Sequence, residues 1–296
     1  MKKESWFSSK QVSATKIKKK SSSKEVSKWA KKPTPKPLDN TFDNQEVKID
    51  LRCFYNLEAK KYSETRKKFR HEEWALLNIL NPIFEWDKKI RILEFWCWSG
   101  RFATLLNQNY KNKFDYVGID LSDELLNYAR EDNPNLTFFQ WDITKLIKNF
   151  EQESFDLVVW TSSFQHIPTS KERSFLMKNF YRILDYDWFV LMTNWSLSNR
   201  FMKKNWKAVL KARLKSLLKF SKSKARDLLV PRTDKNWKVY DRFYHFFSLE
   251  ELKNLSLFAG LSLKVCTFLD DKWEFTENEK ISRSSLFLAK KSPIEE

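Results

Sequence analysis

Residues 91–102 read Arg91-Ile-Leu-Glu-Phe-Trp-Cys-Trp-Ser-Gly-Arg-Phe102. A short apolar run ends in a tight turn and leads into a helical pattern, which is a nucleotide-binding strand, turn and helix with tryptophan where the turn requires glycine. The backbone of such a turn must reach φ > 0 and lie against the ligand, and an indole does neither cheaply. Taken literally, Trp96 and Trp98 block the site. Composition says the same: an average chain is about 7% glycine, or roughly 20 residues at this length, yet this chain has 3 Gly and 13 Trp. Trp141, after an apolar run, and Trp188, between a helix and a strand, also stand where a turn glycine is expected. One reading accounts for all of them: the gene uses UGA for glycine and was translated with UGA as tryptophan. The other is a genuine aromatic-rich chain, a degenerate relative of an enzyme.

The 296 residues suit one large domain with appendages, and 42% hydrophobic content is enough for a core. Three scattered cysteines, Cys53, Cys97 and Cys266, give neither a disulfide framework nor a metal-ligand spacing, so no metal is expected and a reducing, cytoplasmic setting is. No apolar run is long enough for a leader or a bilayer span, and no membrane contact is expected. The net charge of +17 is unevenly placed: residues 1–37 carry +10, residues 200–232 carry +11, and the remainder is mildly acidic. Two basic segments on an acidic body suit a polyanionic partner.

Residues 1–45, rich in Ser, Lys and Pro, are expected to be a disordered basic tail, with the folded domain spanning 46–296. Within it, 46–82 reads as helical. Strands are expected at Ile90 to Phe95, Phe114 to Ile119, Asn135 to Gln140, Phe155 to Trp160 and Phe189 to Asn194, alternating with helices. This rhythm predicts an α/β fold, a doubly wound, seven-stranded, mostly parallel sheet with ligands at the carboxyl ends of its strands. The basic stretch 200–232 is expected as a helical insertion, helical from Phe201 to Leu229 and followed by a loop at Pro231. Ser248-Leu-Glu-Glu251 is a capping box opening a helix that stops at Gly260, and two closing strands follow near 262–269 and 283–289.

Asp120, at the end of the second strand, lies 20 residues past Gly100. An acid there can accept hydrogen bonds from both hydroxyls of a ribose, although a strand-end Asp can also simply cap a helix. Asp142 after the third strand has the same two readings, an adenine contact or a cap, with Leu121 and Ile143 beside it. Glu94, Trp96, Trp98, Gly100 and Thr161 complete the expected cofactor set.

With glycine at 96 and 98, the opening segment takes the E-x-G-x-G-x-G form. Together with Asp120 and Phe-Asp-Leu-Val-Val before the fourth loop, residues 85–290 then resemble the class I S-adenosylmethionine (SAM)-dependent methyltransferases. That resemblance implies SAM as cofactor and Cys97 as a small packing residue. A narrower resemblance lies outside the turn. Phe54-Tyr-Asn-Leu-Glu-Ala-Lys-Lys-Tyr-Ser-Glu-Thr-Arg66, Phe164-Gln-His166 and Asp241-Arg-Phe-Tyr-His-Phe-Phe247 resemble segments of the tRNA wobble-uridine methyltransferases, which esterify a 5-carboxymethyl group. By that likeness Arg66, Arg242, His245 and His166 would form the acceptor site, with Tyr62 and Tyr244 against a base. Arg66 and Arg242 could instead pair with surface acids, and both histidines could be buried and satisfied. The resulting expectation is methyl transfer to RNA. The partner would be tRNA, held by the 200–232 segment and the tail, and an activating subunit is left open. The alternatives are a small-molecule methyltransferase of lipid or quinone type and a non-catalytic RNA-binding protein with a ruined turn.

Overall fold

The computed structural model describes residues 45–65, 71–218, 225–234 and 237–293. The expected tail lies outside them save for its last residue, and so does Arg66. Helices α1 (Gln45–Thr65) and α2 (His71–Phe84) lead into β1 (Ile90–Phe95), α3 (Arg101–Asn109), β2 (Phe114–Asp120), α4 (Asp123–Asp132) and β3 (Thr137–Gln140). Then come α5 (Ile143–Leu146), β4 (Phe155–Thr161), α6 (Ser170–Ile183) and β5 (Leu184–Trp195). The main sheet has the order β3-β2-β1-β4-β5-β10-β8-β9, where β8 is Ser262–Leu269, β9 Phe275–Thr276 and β10 Ser284–Lys290. The first five strands pair in parallel, whereas β10 runs antiparallel between β5 and β8.

Parallel strands covered by helices on both faces need apolar residues at nearly every position. β4, Phe-Asp-Leu-Val-Val-Trp-Thr, is buried along its length up to a half-buried Thr161. Its one acid, Asp156, takes two hydrogen bonds from the Arg91 guanidinium and one from the Arg91 backbone, which pins β1 to β4 at the end remote from the crevice. Because strand order reverses between β1 and β4, their carboxyl ends open a crevice, and the turn at 96–100 lies at its mouth.

The expected seven strands are eight, since the two-residue β9 adds an edge beside β8. The fifth strand starts earlier than expected, at Leu184. The insertion is only partly helical: α7 (Asn199–Lys204) and α8 (Trp206–Leu218) are followed by an antiparallel hairpin of β6 (Asp227–Thr233) and β7 (Val239–His245). Pro231 therefore sits within β6 and not in a loop, which a two-stranded ribbon tolerates because each strand has a free edge. Val209, Ala212, Leu228, Val230, Tyr244 and Phe246 form a small core of their own between α8 and the hairpin. Helix α9 (Leu249–Ala259) begins at Ser248, whose hydroxyl accepts from the Glu251 N–H, and ends at Gly260 with φ 81°.

Eight non-glycine residues among those described have left-handed backbones: Trp96, Trp98, Asn112, Glu153, Ser162, Asp187, Trp237 and Trp273. For an L-residue with a β-carbon this conformation costs about 1–2 kcal/mol. Trp141 and Trp188 are not among them, which corrects the expectation that they stand at left-handed turn positions. At the second of these sites the turn is made by Asp187, φ 69°, and Trp141 stacks on Phe139 with ring centroids 5.0 Å apart.

Candidate active site

The turn after β1 is left-handed at every second residue, with φ of 51° at Trp96, 54° at Trp98 and 73° at Gly100. It is held down from β2: the Cys97 N–H donates to the Ile119 carbonyl (3.1 Å) and the Trp98 N–H to Asp120 Oδ2 (3.0 Å). A β-carbon at Gly118 would come within 2.9 Å of Cys97 Sγ, so the sulfur packs on that glycine. Burial holds the Cys97 thiol well above its ordinary pKa, in keeping with packing and against nucleophilic use.

Asp120 is not the helix cap. Ser122 fills that role, its hydroxyl accepting from the Leu125 N–H, while Asp120 Oδ1 takes the Ser122 N–H (2.8 Å). Burial pushes the Asp120 carboxyl up to about 6, opposed by the Ser122 and Trp98 N–H groups. Asp142 does cap its helix, accepting from the Thr144 N–H and hydroxyl (3.0 and 2.7 Å). Glu94 is turned into the sheet, where it accepts from the Tyr116 hydroxyl and from Thr161 Oγ1 (3.3 Å). Burial raises it to about 8 against those two bonds, so it is mostly protonated at neutral pH.

Between turn and helix lies a cavity lined by Leu51, Arg52, Tyr55, Trp96, Trp98, Asp120, Leu121, Ser122 and Leu125. Of the expected cofactor set it gathers Trp96, Trp98, Asp120 and Leu121. Glu94, Gly100, Asp142, Ile143 and Thr161 do not line it. Its volume is about 20 Å³, space for a water molecule and not for a nucleoside. Trp96 is 6% exposed, and its Nε1–H is buried without a hydrogen-bond partner, where a buried indole usually finds one. The Trp98 ring fills space against Tyr62 and Tyr55, at 5.4 and 4.9 Å. As the chain stands, the turn does not fit SAM.

Helix α1 covers this crevice. Ser122 Oγ donates to Asn56 Oδ1 (2.6 Å), which latches the helix to the start of α4. The neighbouring Tyr55 reaches across to Arg242 on β7, accepting from Nη1 at 3.1 Å. The Arg242 guanidinium also faces Phe54, Tyr244 and Tyr55, 5.1, 5.3 and 6.0 Å from the ring centroids, and bonds Tyr62. It is 2% exposed, its Nε–H is buried without a partner, and it makes no ion pair among the described residues. A buried cation without a counter-ion is costly unless an anion joins it.

His166 lies beside this cage, with Trp96 5.6 Å away on one side and Tyr244 4.5 Å on the other. Its Nδ1 is 2.7 Å from the Phe243 carbonyl, which can only accept, so the proton is on Nδ1 and Nε2 is an acceptor. Burial, then the charge of Arg242, lowers its pKa to about 3 and keeps the ring neutral. His245 belongs elsewhere: Asp227 (2.5 Å) and Glu251 (2.8 Å) take its two nitrogens. Alternation along β7 puts Arg242 and Tyr244 on one face and His245 on the other, so His245 ties the hairpin to α9 and is not available to bind a carboxylate. Tyr55, Phe54 and Asn56 are the site residues that reasoning from the sequence passed over. Tyr55 and Asn56 open the α1 segment that resembles the wobble-uridine methyltransferases, but no role at the site was expected of them.

Residues 92–187 match the family described as a methyltransferase domain. No curated protein matches the chain. Among solved structures it is similar to a SAM-dependent methyltransferase from Methanosarcina mazei (19% identity, TM-score 0.54, covering 71% of this chain and 97% of that one). Another from Clostridium acetobutylicum is 16% identical, with TM-score 0.54 and coverage of 81% and 99%. A complex of DhpI with SAM and HEP is 15% identical, with TM-score 0.56 and coverage of 84% and 99%. The matched segment carries the likeness to a methyltransferase domain, and these solved structures share the fold of this chain. Residues 92–187 are that domain's matched part, and α1 and the 200–245 insertion that carry the Arg242 cage lie outside it.

Proposed function

We propose that this protein, in a form with glycine at 96 and 98, is a SAM-dependent RNA methyltransferase whose acceptor carries an anionic group, and that the acceptor is a 5-carboxymethyl wobble uridine in tRNA. The observation that carries the reading is Arg242, a buried guanidinium ringed by Phe54, Tyr55, Tyr62 and Tyr244, with one N–H unused and no carboxylate paired to it among the described residues. A carboxylate seated there gains charge-assisted bonds, and the flanking rings offer a stacking surface for a base. Neutral His166 beside it can accept a hydrogen bond from the same nucleoside through Nε2. Lys203, Lys204, Lys207 and Lys211, on α7 and α8, would supply the charge that a phosphate backbone needs.

A carboxylate acceptor is ionised at neutral pH and needs no base to activate it. The residues' work is then to orient it and exclude water. The test is binding, measured by anisotropy with two tRNAs that differ only in the 5-carboxymethyl group at the wobble position. The modified tRNA should bind about tenfold more tightly, since a pocket built for a charged partner leaves buried donors unsatisfied without it. Equal affinity, with weak salt dependence, would point to a small-molecule acceptor.

A further inference from the structure

We infer that tryptophans 96, 98, 237 and 273 stand at glycine positions, and that the protein working in its own cell carries glycine at all four, through a single decoding event in which UGA is read as glycine. Tryptophan is 13 of 296 residues, yet it supplies four of the eight non-glycine left-handed positions. Of the other four, Asn112 and Asp187 are of the kinds that visit this region with least strain. Two of the chain's three glycines, Gly100 and Gly260, share the same conformation.

The pattern recurs far from any ligand. Between β6 and β7 the Trp237 N–H donates to the Asp234 carbonyl (3.2 Å) and the Asp234 N–H to the Lys238 carbonyl (3.0 Å). In Asp270-Asp-Lys-Trp-Glu274 the corresponding pair runs from Trp273 to Asp270 (3.1 Å) and from Asp270 to Glu274 (3.0 Å). In both, the Asp carboxylate caps the loop, accepting from the Lys238 N–H in one and from the Lys272 and Glu274 N–H groups in the other. A left-handed residue just before the returning strand is the bulge position that hairpins reserve for glycine. The two connections share these bonds, each with tryptophan at that residue, and repeat what the turn after β1 shows at Trp96 and Trp98. Trp237 is 87% exposed, so packing does not account for it.

The decisive measurement is the mass of peptides from the protein purified out of its source organism. Glycine masses at the four positions are expected, and tryptophan masses overturn the inference. A second measurement uses recombinant chain. Trp237→Gly should raise Tm by a few degrees by relieving the left-handed strain, and a lowered Tm counts against the inference. Only a third arm rests on the methyltransferase reading: Trp96→Gly with Trp98→Gly should bind SAM at least about tenfold more tightly than the unaltered chain by calorimetry. Glycine masses together with no SAM binding would uphold the inference and remove the methyltransferase reading instead.

Discussion

Two clusters of aromatic rings meet beside the crevice, and they are built to different standards. In the cage, Tyr55 accepts a bond from Arg242, Tyr62 bonds the same guanidinium, and the rings of Phe54 and Tyr244 lie against it. In the turn, Trp96 buries an unsatisfied Nε1–H, and both indoles sit on left-handed backbone. Ring burial is similar in the two places. What separates a residue that belongs from one that intrudes is its backbone angle and the fate of its polar atom.

The largest effect that would sharpen this contrast lies under the turn. Burial raises Glu94 from 4.5 to about 8, so between those values the folded chain holds a proton that the unfolded chain has released. Stability should therefore fall by a few kcal/mol as pH rises from about 5 to 8. Glu94→Gln should remove most of that slope in thermal melts, and an unchanged slope would mean that the acid is not held protonated. Next comes the cage: Arg242→Ala should abolish discrimination between modified and unmodified tRNA, worth about 1–3 kcal/mol, while leaving general tRNA affinity nearly intact. Retained discrimination would break the comparison at its acceptor side. In a chain carrying Trp96→Gly and Trp98→Gly, Asp120→Ala should then weaken SAM binding by about 1–3 kcal/mol in calorimetry, and no loss would return Asp120 to a purely structural part. The smallest effect is on α7 and α8. Replacing Lys203, Lys204, Lys207 and Lys211 with Gln should flatten the log-log salt dependence of tRNA binding by about 0.7–0.9 for each phosphate no longer neutralised, without touching the carboxymethyl preference.

The turn after β1 was legible because its signals are local. A strand, a turn and an acid 20 residues on sit at fixed spacing along one layer of the sheet, and the structure puts Asp120 beside the turn as that spacing implies. The cage was not legible from spacing, because Tyr55 and Arg242 are 187 residues apart and meet only when α1 folds over the crevice. The hairpin was hidden by its neighbour: Val209, Leu210, Leu214, Leu217 and Leu218 keep near-helical spacing and carry the expected helix on to Leu229, although Leu228 and Val230, buried on either side of an exposed Leu229, carry the period of a strand. A sequence motif groups His245 with Arg242. Reading the same segment as a strand puts the two on opposite faces.

The bond from His166 to β7 has a consequence for how this pocket can change over time. The acceptor is the main-chain carbonyl of residue 243, so the proton's place on the imidazole is written by the backbone and not by any side chain. Position 243 is thus free to drift among residues that keep the hairpin ladder, and the ring's tautomer would survive every such exchange. A change that shifts β7 against the turn Phe164–His166 could turn the histidine around. Its chemistry is inherited with the shape of the ribbon.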